Sequence, residues 1–314
     1  VRALVTGAAG FAGRHLVVAL HAAGHEVIAS DLDVPEDAPR ASEWIALDVT
    51  DESACESALR AARPDWLFHL AGFAHVGRAE QEPDRCLELN LGGTRALLEA
   101  CLSASPATRA IVISSAEVYG AVPPDQLPVR EECPVRPGTA YARSKVAAEE
   151  TARDAAARGL SLVILRPFNH IGPGQSDDFV ASAFAHQLAR IEAGLQEAVI
   201  RVGNLAAVRD FSDVRETVRG YLRAAESGHD GAVYNVTSGE AVAIRDLLEI
   251  LLELCRVPVE VVEDPARMRP IDQAVFHGSG ALLAEDTGFR AELNLRDTLE
   301  DVLDYWRSRE ASPR

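Results

Sequence analysis

Ala3-Leu-Val-Thr-Gly7-Ala-Ala-Gly10-Phe-Ala-Gly13 opens the chain with a short apolar run, a turn carrying three glycines, and the start of a helical pattern. Gly7 permits a tight turn, Gly10 allows close backbone approach, and Gly13 lets the following helix pack near the strand. The first amides of that helix then point at whatever anion lies over the turn, which suits a pyrophosphate. The next apolar run, EVIASD, ends in Asp31, where a carboxylate can accept hydrogen bonds from both hydroxyls of an adenosine ribose. Strand, glycine turn, helix and terminal acid together predict a dinucleotide site.

Working outward, apolar runs alternate with helical patterns through the first 170 residues: helical 51–63, WLFHLAG, helical 84–105, AIVISSA, helical 141–158 and LSLVILRP. Continuously apolar strands joined by helices predict a Rossmann-type α/β fold, a doubly wound parallel sheet whose strand ends bind the ligand along one edge. Asp48 and Val49, after the third strand, are expected adenine contacts. Ala71 and Gly72, ending the fourth, leave room for the dinucleotide to pass. Phe11 and Ala12 in the glycine turn, Leu70 beside Ala71, and Pro167 at the end of LSLVILRP complete the expected cofactor contacts. Beyond Pro167 the pattern loosens into a polar loop, an apolar helical stretch from Phe179 to Ala193, short strand candidates and a helical tail with Leu299, Val302 and Leu303 on one side. The expected division is residues 1–168 as the NAD(P)-binding domain and 169–314 mainly as a smaller α/β substrate-binding lobe. Segments near 210–235 are expected to return to the first domain.

The 314 residues carry 31 basic and 48 acidic side chains, a formal charge of -17. That sign is wrong for tracking a nucleic-acid backbone or an anionic membrane, and no window reaches the roughly 18 apolar residues of a spanning helix. An anionic ligand must be held by local arginines and backbone amides. Five scattered cysteines with no CxxC pair fit a reducing cytoplasm, and His69 and His75 find no third partner nearby, so no metal site is expected. Asp31 repels a 2′-phosphate, and no arginine follows it directly. NAD(H) is therefore expected ahead of NADP(H), with Arg40 the residue that can bring a phosphate partner in on the loop.

A second signal is Tyr141-Ala-Arg-Ser-Lys145, whose i,i+4 spacing puts phenol and ammonium on one helical face. A lysine there, shared with a nicotinamide ribose, favours the phenolate and draws the tyrosine toward working range near neutral pH. Ser115, directly after the apolar strand AIVIS, can aim its hydroxyl at the same substrate oxygen. Three elements then converge: a hydroxyl to orient, a phenol to move a proton and a lysine to set its charge.

These features resemble the extended short-chain dehydrogenase/reductase family, in its sugar-nucleotide branch, over essentially the whole chain. The resemblance implies that Ser115, Tyr141 and Lys145 are catalytic, that Asn90 in ELNLGGT approaches the nicotinamide, and that two copies pair through a four-helix bundle built from the helices around 84–105 and 141–158. RPFNHIGPGQ (166–175), GNLAAVRDFSDVRETVRGY (203–221) and RMRPIDQ (267–273) look like the GDP-4-dehydro-6-deoxy-D-mannose reductases. By that likeness Asn169 contacts the sugar or pyrophosphate, Phe179 and Val180 the nucleotide, and Arg209 and Arg269 the diphosphate. His170 is read as structural. The implied reaction is NAD(P)H-dependent reduction of the C4 ketone of a GDP-linked 4-keto-6-deoxy sugar to a GDP-6-deoxyhexose such as GDP-D-rhamnose. Glu117 leaves a GDP-mannose 4,6-dehydratase or a 4-epimerase open, since related dehydratases carry a glutamate there. Ala116, however, stands where they have a proton-carrying side chain. A non-catalytic NAD-binding protein has no need of the Ser115, Tyr141 and Lys145 set.

Overall fold

The opening run folds as strand β1 (Arg2–Thr6), and the glycine turn leads into helix α1 (Phe11–Ala22). The structure, a computed structural model, describes residues 1–267 and 273–311. The apolar runs continue as β2 (Glu26–Asp31), β3 (Glu43–Ala46), β4 (Trp66–His69), β5 (Arg109–Ile113) and β6 (Leu162–Pro167). Between them lie α2 (Glu52–Ala62), α3 (Gly93–Ala104) and α4 (Ala140–Ala157). The chain goes on through α5 (Val180–Glu192) and α6 (Val214–Ser227) to a seventh strand, β7 (Val233–Val236), then α7 (Ile244–Leu254) and α8 (Leu295–Ala311). Among the described residues no helix is long and apolar enough to cross a membrane.

All seven strands make one parallel sheet in the order β7-β6-β5-β4-β1-β2-β3. The order reverses at β1, where Thr6 pairs with Ser30 on one side and His69 on the other. The crevice beyond that reversal is where such a sheet receives a ligand. Burial explains why the strands read as unbroken apolar runs: Leu16, Val17 and Leu20 of α1 cover one face with Val214 and Val218 of α6. Leu59 of α2, Leu97 and Leu98 of α3, and Ala152 and Ala155 of α4 cover the other. Each fully buried leucine here contributes roughly 1.5–3 kcal/mol.

A third core joins α5, α7 and α8 through Phe184, Leu188, Leu247, Leu251, Leu299, Val302 and Leu303. Around it lie short strand pairs, among them Asn169–Ile171 with Phe211–Asp213. The strand β7 nevertheless pairs with β6, and α6 packs on α1, so this part of the chain is interleaved with the large sheet.

The helical stretch expected over 84–105 runs without interruption over 83–104 but is not uniform: Pro83–Leu87 is α-helical, Glu88–Gly92 widens into a π turn, and α3 begins at Gly93. The reason is Asn90, which is 1% exposed and faces inward to bond the chain across it. Widened turns of this kind gather at functional sites.

Candidate active site

Above the strand ends lies a cavity of about 690 Å³. The glycine turn forms its floor. Gly7 has φ +70°, and a Cβ on Gly13 would sit 2.1 Å from the Gly7 carbonyl oxygen, so the turn and α1 touch backbone to backbone. A Cβ on Gly7 would meet the Ala71 nitrogen at 2.6 Å, which fixes the turn against the end of β4. Below this junction His69 is buried between Thr6 Oγ1 (2.9 Å) and Thr94 Oγ1 (3.0 Å). Burial, with Lys145 nearby, pushes its imidazole down to about 3, so it stays neutral.

At the end of β2, Asp31 accepts from the amides of Ala9 (2.9 Å) and Leu32 (2.9 Å) and faces the cavity. Asp48 also lines it. The hydroxyl and amide of Thr50 hold its carboxyl below the usual range.

The helix α4 begins where it does because Thr139 caps it, accepting from the Ala142 amide at 3.0 Å, while Glu80 accepts from the Ala140 amide. Tyr141 therefore stands in the first turn, with Lys145 one turn on. Ser115 follows β5, accepts from the Glu117 amide at 3.2 Å and is hydrogen-bonded to the Tyr141 phenol. Lys145 Nζ donates to the Ile113 carbonyl at 3.0 Å and lies 6.0 Å from the centre of the tyrosine ring. Burial pushes the lysine down to about 8.

Burial pushes the Tyr141 phenol above its ordinary range, against the pull of Ser115 and with Glu117 adding to it. The Lys145 ammonium is turned to the Ile113 carbonyl, and the lowering expected of it belongs to the arrangement in which it is shared with a nicotinamide ribose. The resting group is thus a neutral phenol, suited to giving a proton.

Behind this set, Ser114 donates to Glu149 Oε1 at 2.6 Å, and Arg166 clamps the same carboxylate through Nε (2.8 Å) and a terminal nitrogen (2.6 Å). The Arg166 and Glu149 side chains are 3% and 1% exposed. Although burial opposes it, Arg166 and Ser114 keep the Glu149 carboxyl below its usual range. The pair joins α4, β6 and the residue before Ser115 into one unit.

The cavity brings together most of the residues singled out above: Gly7, Gly10, Phe11, Ala12, Gly13, Asp31, Asp48, Val49, Leu70, Ala71, Gly72, Ser115, Glu117, Tyr141, Lys145, Pro167, Asn169, Phe179 and Val180. Asn169 donates to the Asp210 carbonyl at 3.0 Å, and Phe179 is 40% exposed beside His75. Asn90 is not in the lining. Its Oδ1 accepts from the Phe73 amide at 2.8 Å and its Nδ2 donates to Ser144 Oγ at 2.8 Å, so it braces the wall from behind. Arg209 is also outside the lining and donates to the carbonyls of Val208 and Ala274. Arg269 lies outside the described residues.

Other lining residues carried no sequence signal of their own. Phe168, directly after β6, and Phe276, far from it in sequence, stack at 5.2 Å. His170, read as structural, lines the cavity too and stacks on Phe11 at 5.8 Å.

The family model described as NAD dependent epimerase/dehydratase family matches residues 3–237. The GDP-6-deoxy-D-mannose reductase of Pseudomonas aeruginosa is 40% identical over 309 residues, 98% of this chain and 98% of that protein. A UDP-glucose 4-epimerase of Streptomyces lividans is 28% identical over 326 residues, 99% of this chain and 97% of that one. Among solved structures, that of RMD from Pseudomonas aeruginosa complexed with NADPH superposes with a TM-score of 0.88 at 37% identity, covering 98% of this chain and 100% of that chain.

Proposed function

This chain belongs to the NAD dependent epimerase/dehydratase family, and from that premise we propose that it reduces the C4 ketone of GDP-4-dehydro-6-deoxy-D-mannose to a GDP-6-deoxyhexose such as GDP-D-rhamnose. The observation that carries this reading is the near full-length likeness to a GDP-6-deoxy-D-mannose reductase, together with a hydrogen-bonded Ser115 and Tyr141 facing the cavity. The cradle suits a dinucleotide: Gly10 keeps the floor low, Gly72 leaves no side chain at the end of β4, and Asp31 presents a carboxylate at the ribose end. NADH or NADPH, when bound, supplies the hydride.

In this reading the protein's own groups do the rest. Ser115 orients the ketone oxygen, and Tyr141 gives its proton to the alkoxide that forms there. Lys145 offsets the charge that develops on oxygen, an interaction stronger in the transition state than in the ground state. The aromatic walls from Phe168 and Phe276 keep water away from the reacting carbon. Asn90 and the Glu149–Arg166 pair hold these groups in position.

Glu117 lines the same cavity, which supports the competing reading as a 4,6-dehydratase or 4-epimerase. Ala116, its neighbour, is 3% exposed and offers no proton. A panel of GDP-, dTDP-, UDP- and CDP-linked 4-keto-6-deoxy sugars and their parent hexoses separates the readings. Stoichiometric loss of nicotinamide absorbance with the GDP-linked ketone is expected. Product formed without such loss overturns net reduction.

Three coarser parts of the proposal go with it. Residues 1–168 with the returning strand β7 serve the cofactor, and the lobe around α5, α7 and α8 serves the sugar nucleotide. Two copies pair through the helices around 84–105 and 141–158, covering Leu87, which is 43% exposed. All five cysteines are free thiols, which suits a reducing cytoplasm.

A further inference from the structure

The sequence leaves one question at the ribose end of the cavity: a carboxylate there disfavours a 2′-phosphate, and no arginine follows Asp31 directly. The structure places a different arginine beside the glycine turn at that end, just outside the cavity lining itself. Arg14, on the first turns of α1, donates from Nε to the Ala9 carbonyl oxygen at 3.0 Å. The amide of the same Ala9 donates to Asp31 Oδ2 at 2.9 Å. One residue of the glycine turn is therefore bracketed by an anion on its amide and a cation on its carbonyl, and both Ala9 and Asp31 line the cavity.

We propose that Arg14 is the residue through which this pocket accepts a 2′-phosphorylated adenosine ribose, with Asp37 as the exchangeable anion that holds the guanidinium until the phosphate arrives. The assignment rests on the dinucleotide reading of the cavity. It makes the site one for both cofactors: Asp31 serves the hydroxyls of NADH, and Arg14 serves the phosphate of NADPH.

Three observations support it. Arg14's two terminal nitrogens are both directed at Asp37, one to its carbonyl at 3.0 Å and one to its carboxylate at 2.7 Å, so the planar fork already faces oxygen acceptors. The Asp37 side chain is 73% exposed against 33% for Arg14. A pair that open to water contributes little, and a phosphate of higher charge displaces the carboxylate. Both Asp31 oxygens, meanwhile, are engaged by backbone amides, which lowers the repulsion a phosphate meets there. Arg40, the arginine visible in the sequence, is exposed on the same loop and is the rival for this role.

The test is direct titration of NADPH and NADH onto the full chain without any sugar, following nicotinamide fluorescence. Failure of the sugar-reductase reading then cannot be mistaken for failure here. Arg14→Gln is expected to weaken NADPH relative to NADH at least about tenfold, and Arg14→Lys, which keeps the charge but not the fork, by less. Asp37→Asn is expected to move the ratio a few-fold the other way, because the guanidinium loses its competitor. The last two variants carry the test if Arg14→Gln fails to fold. Equal weakening of both dinucleotides by Arg14→Gln overturns the assignment, as does a shift of the ratio by Arg40→Gln alone. Binding of neither dinucleotide by the wild type overturns the cofactor reading and this assignment with it.

Discussion

Lys145 Nζ donates to the carbonyl of Ile113 at 3.0 Å, which ties the helix bearing the phenol to the strand that presents Ser115. The bond anchors the lysine, and burial lowers it to about 8 from its usual 10.5. Two opposite pH trends follow. The free enzyme loses the ammonium as pH rises through about 8, so kcat/KM for the nicotinamide cofactor is expected to fall there. Between 8 and 10.5 the unfolded chain holds this proton and the folded chain does not, so stability gained from this group rises with pH. Compared with Lys145→Met, the penalty of the buried lysine is full below pH 8 and fades toward 10.5. Rate profiles and urea midpoints over the same pH range check both, and an alkaline limb that stays in place in Lys145→Met assigns the titration elsewhere.

Removing only the phenolic oxygen isolates the proton donor. Tyr141→Phe is expected to lower kcat by about 10²–10⁴-fold, with dinucleotide affinity kept because the ring still fills its place beside Cys86 and Ala79. Turnover at the wild-type rate means that another group gives the proton.

Glu117 is exposed at the cavity rim and has no proton to move in a net reduction. Glu117→Gln is expected to cost less than about tenfold in reduction. A dehydratase that abstracts a proton with this carboxylate loses nearly all activity on the same change. Assaying the parent GDP-hexose and the 4-keto sugar side by side reads both outcomes from one preparation.

The glycines of the turn differ in what a methyl group meets. On Gly13 it would lie 2.1 Å from the Gly7 carbonyl oxygen, so backbone must move, and Gly13→Ala is expected to destabilise the fold by at least about 1–3 kcal/mol. On Gly10 the nearest atom is 3.1 Å away, and the methyl mainly narrows the cradle. Gly10→Ala is expected to fold normally yet bind dinucleotide poorly. Thermal unfolding and cofactor titration of the two variants separate the effects, and parallel losses in both would contradict the division.

How much of this was legible in the sequence depends on the range of each interaction. The glycine turn, Asp31, and the Tyr141 and Lys145 pair are local patterns, and strand ends carry them to one edge of the sheet as the βαβ series requires. Asn90 was visible as a residue but not in its geometry, since a π turn depends on bonds to Phe73 and Ser144 across the fold. Arg209 is a diphosphate candidate by likeness of motif, and its contacts to the Val208 and Ala274 carbonyls are set by a strand pairing that no local pattern encodes. Phe168 and Phe276 meet only because the chain crosses back after a long excursion, and no periodicity encodes that. The direction of the tyrosine's shift depended on burial, which spacing alone does not report.

The seventh strand has a consequence for how the protein is made. Every residue of β6 is buried, and its outer edge is covered by Val233–Val236. A ribosome releases that covering segment only after the 65 residues between Pro167 and Val233 have emerged. Until then the nascent sheet ends in a bare apolar edge, a template for pairing with other chains. A fragment truncated after Pro167 keeps the glycine turn yet inherits that sticky border permanently. It is therefore expected to aggregate, and the cofactor half is not obtained by cutting the gene at its midpoint.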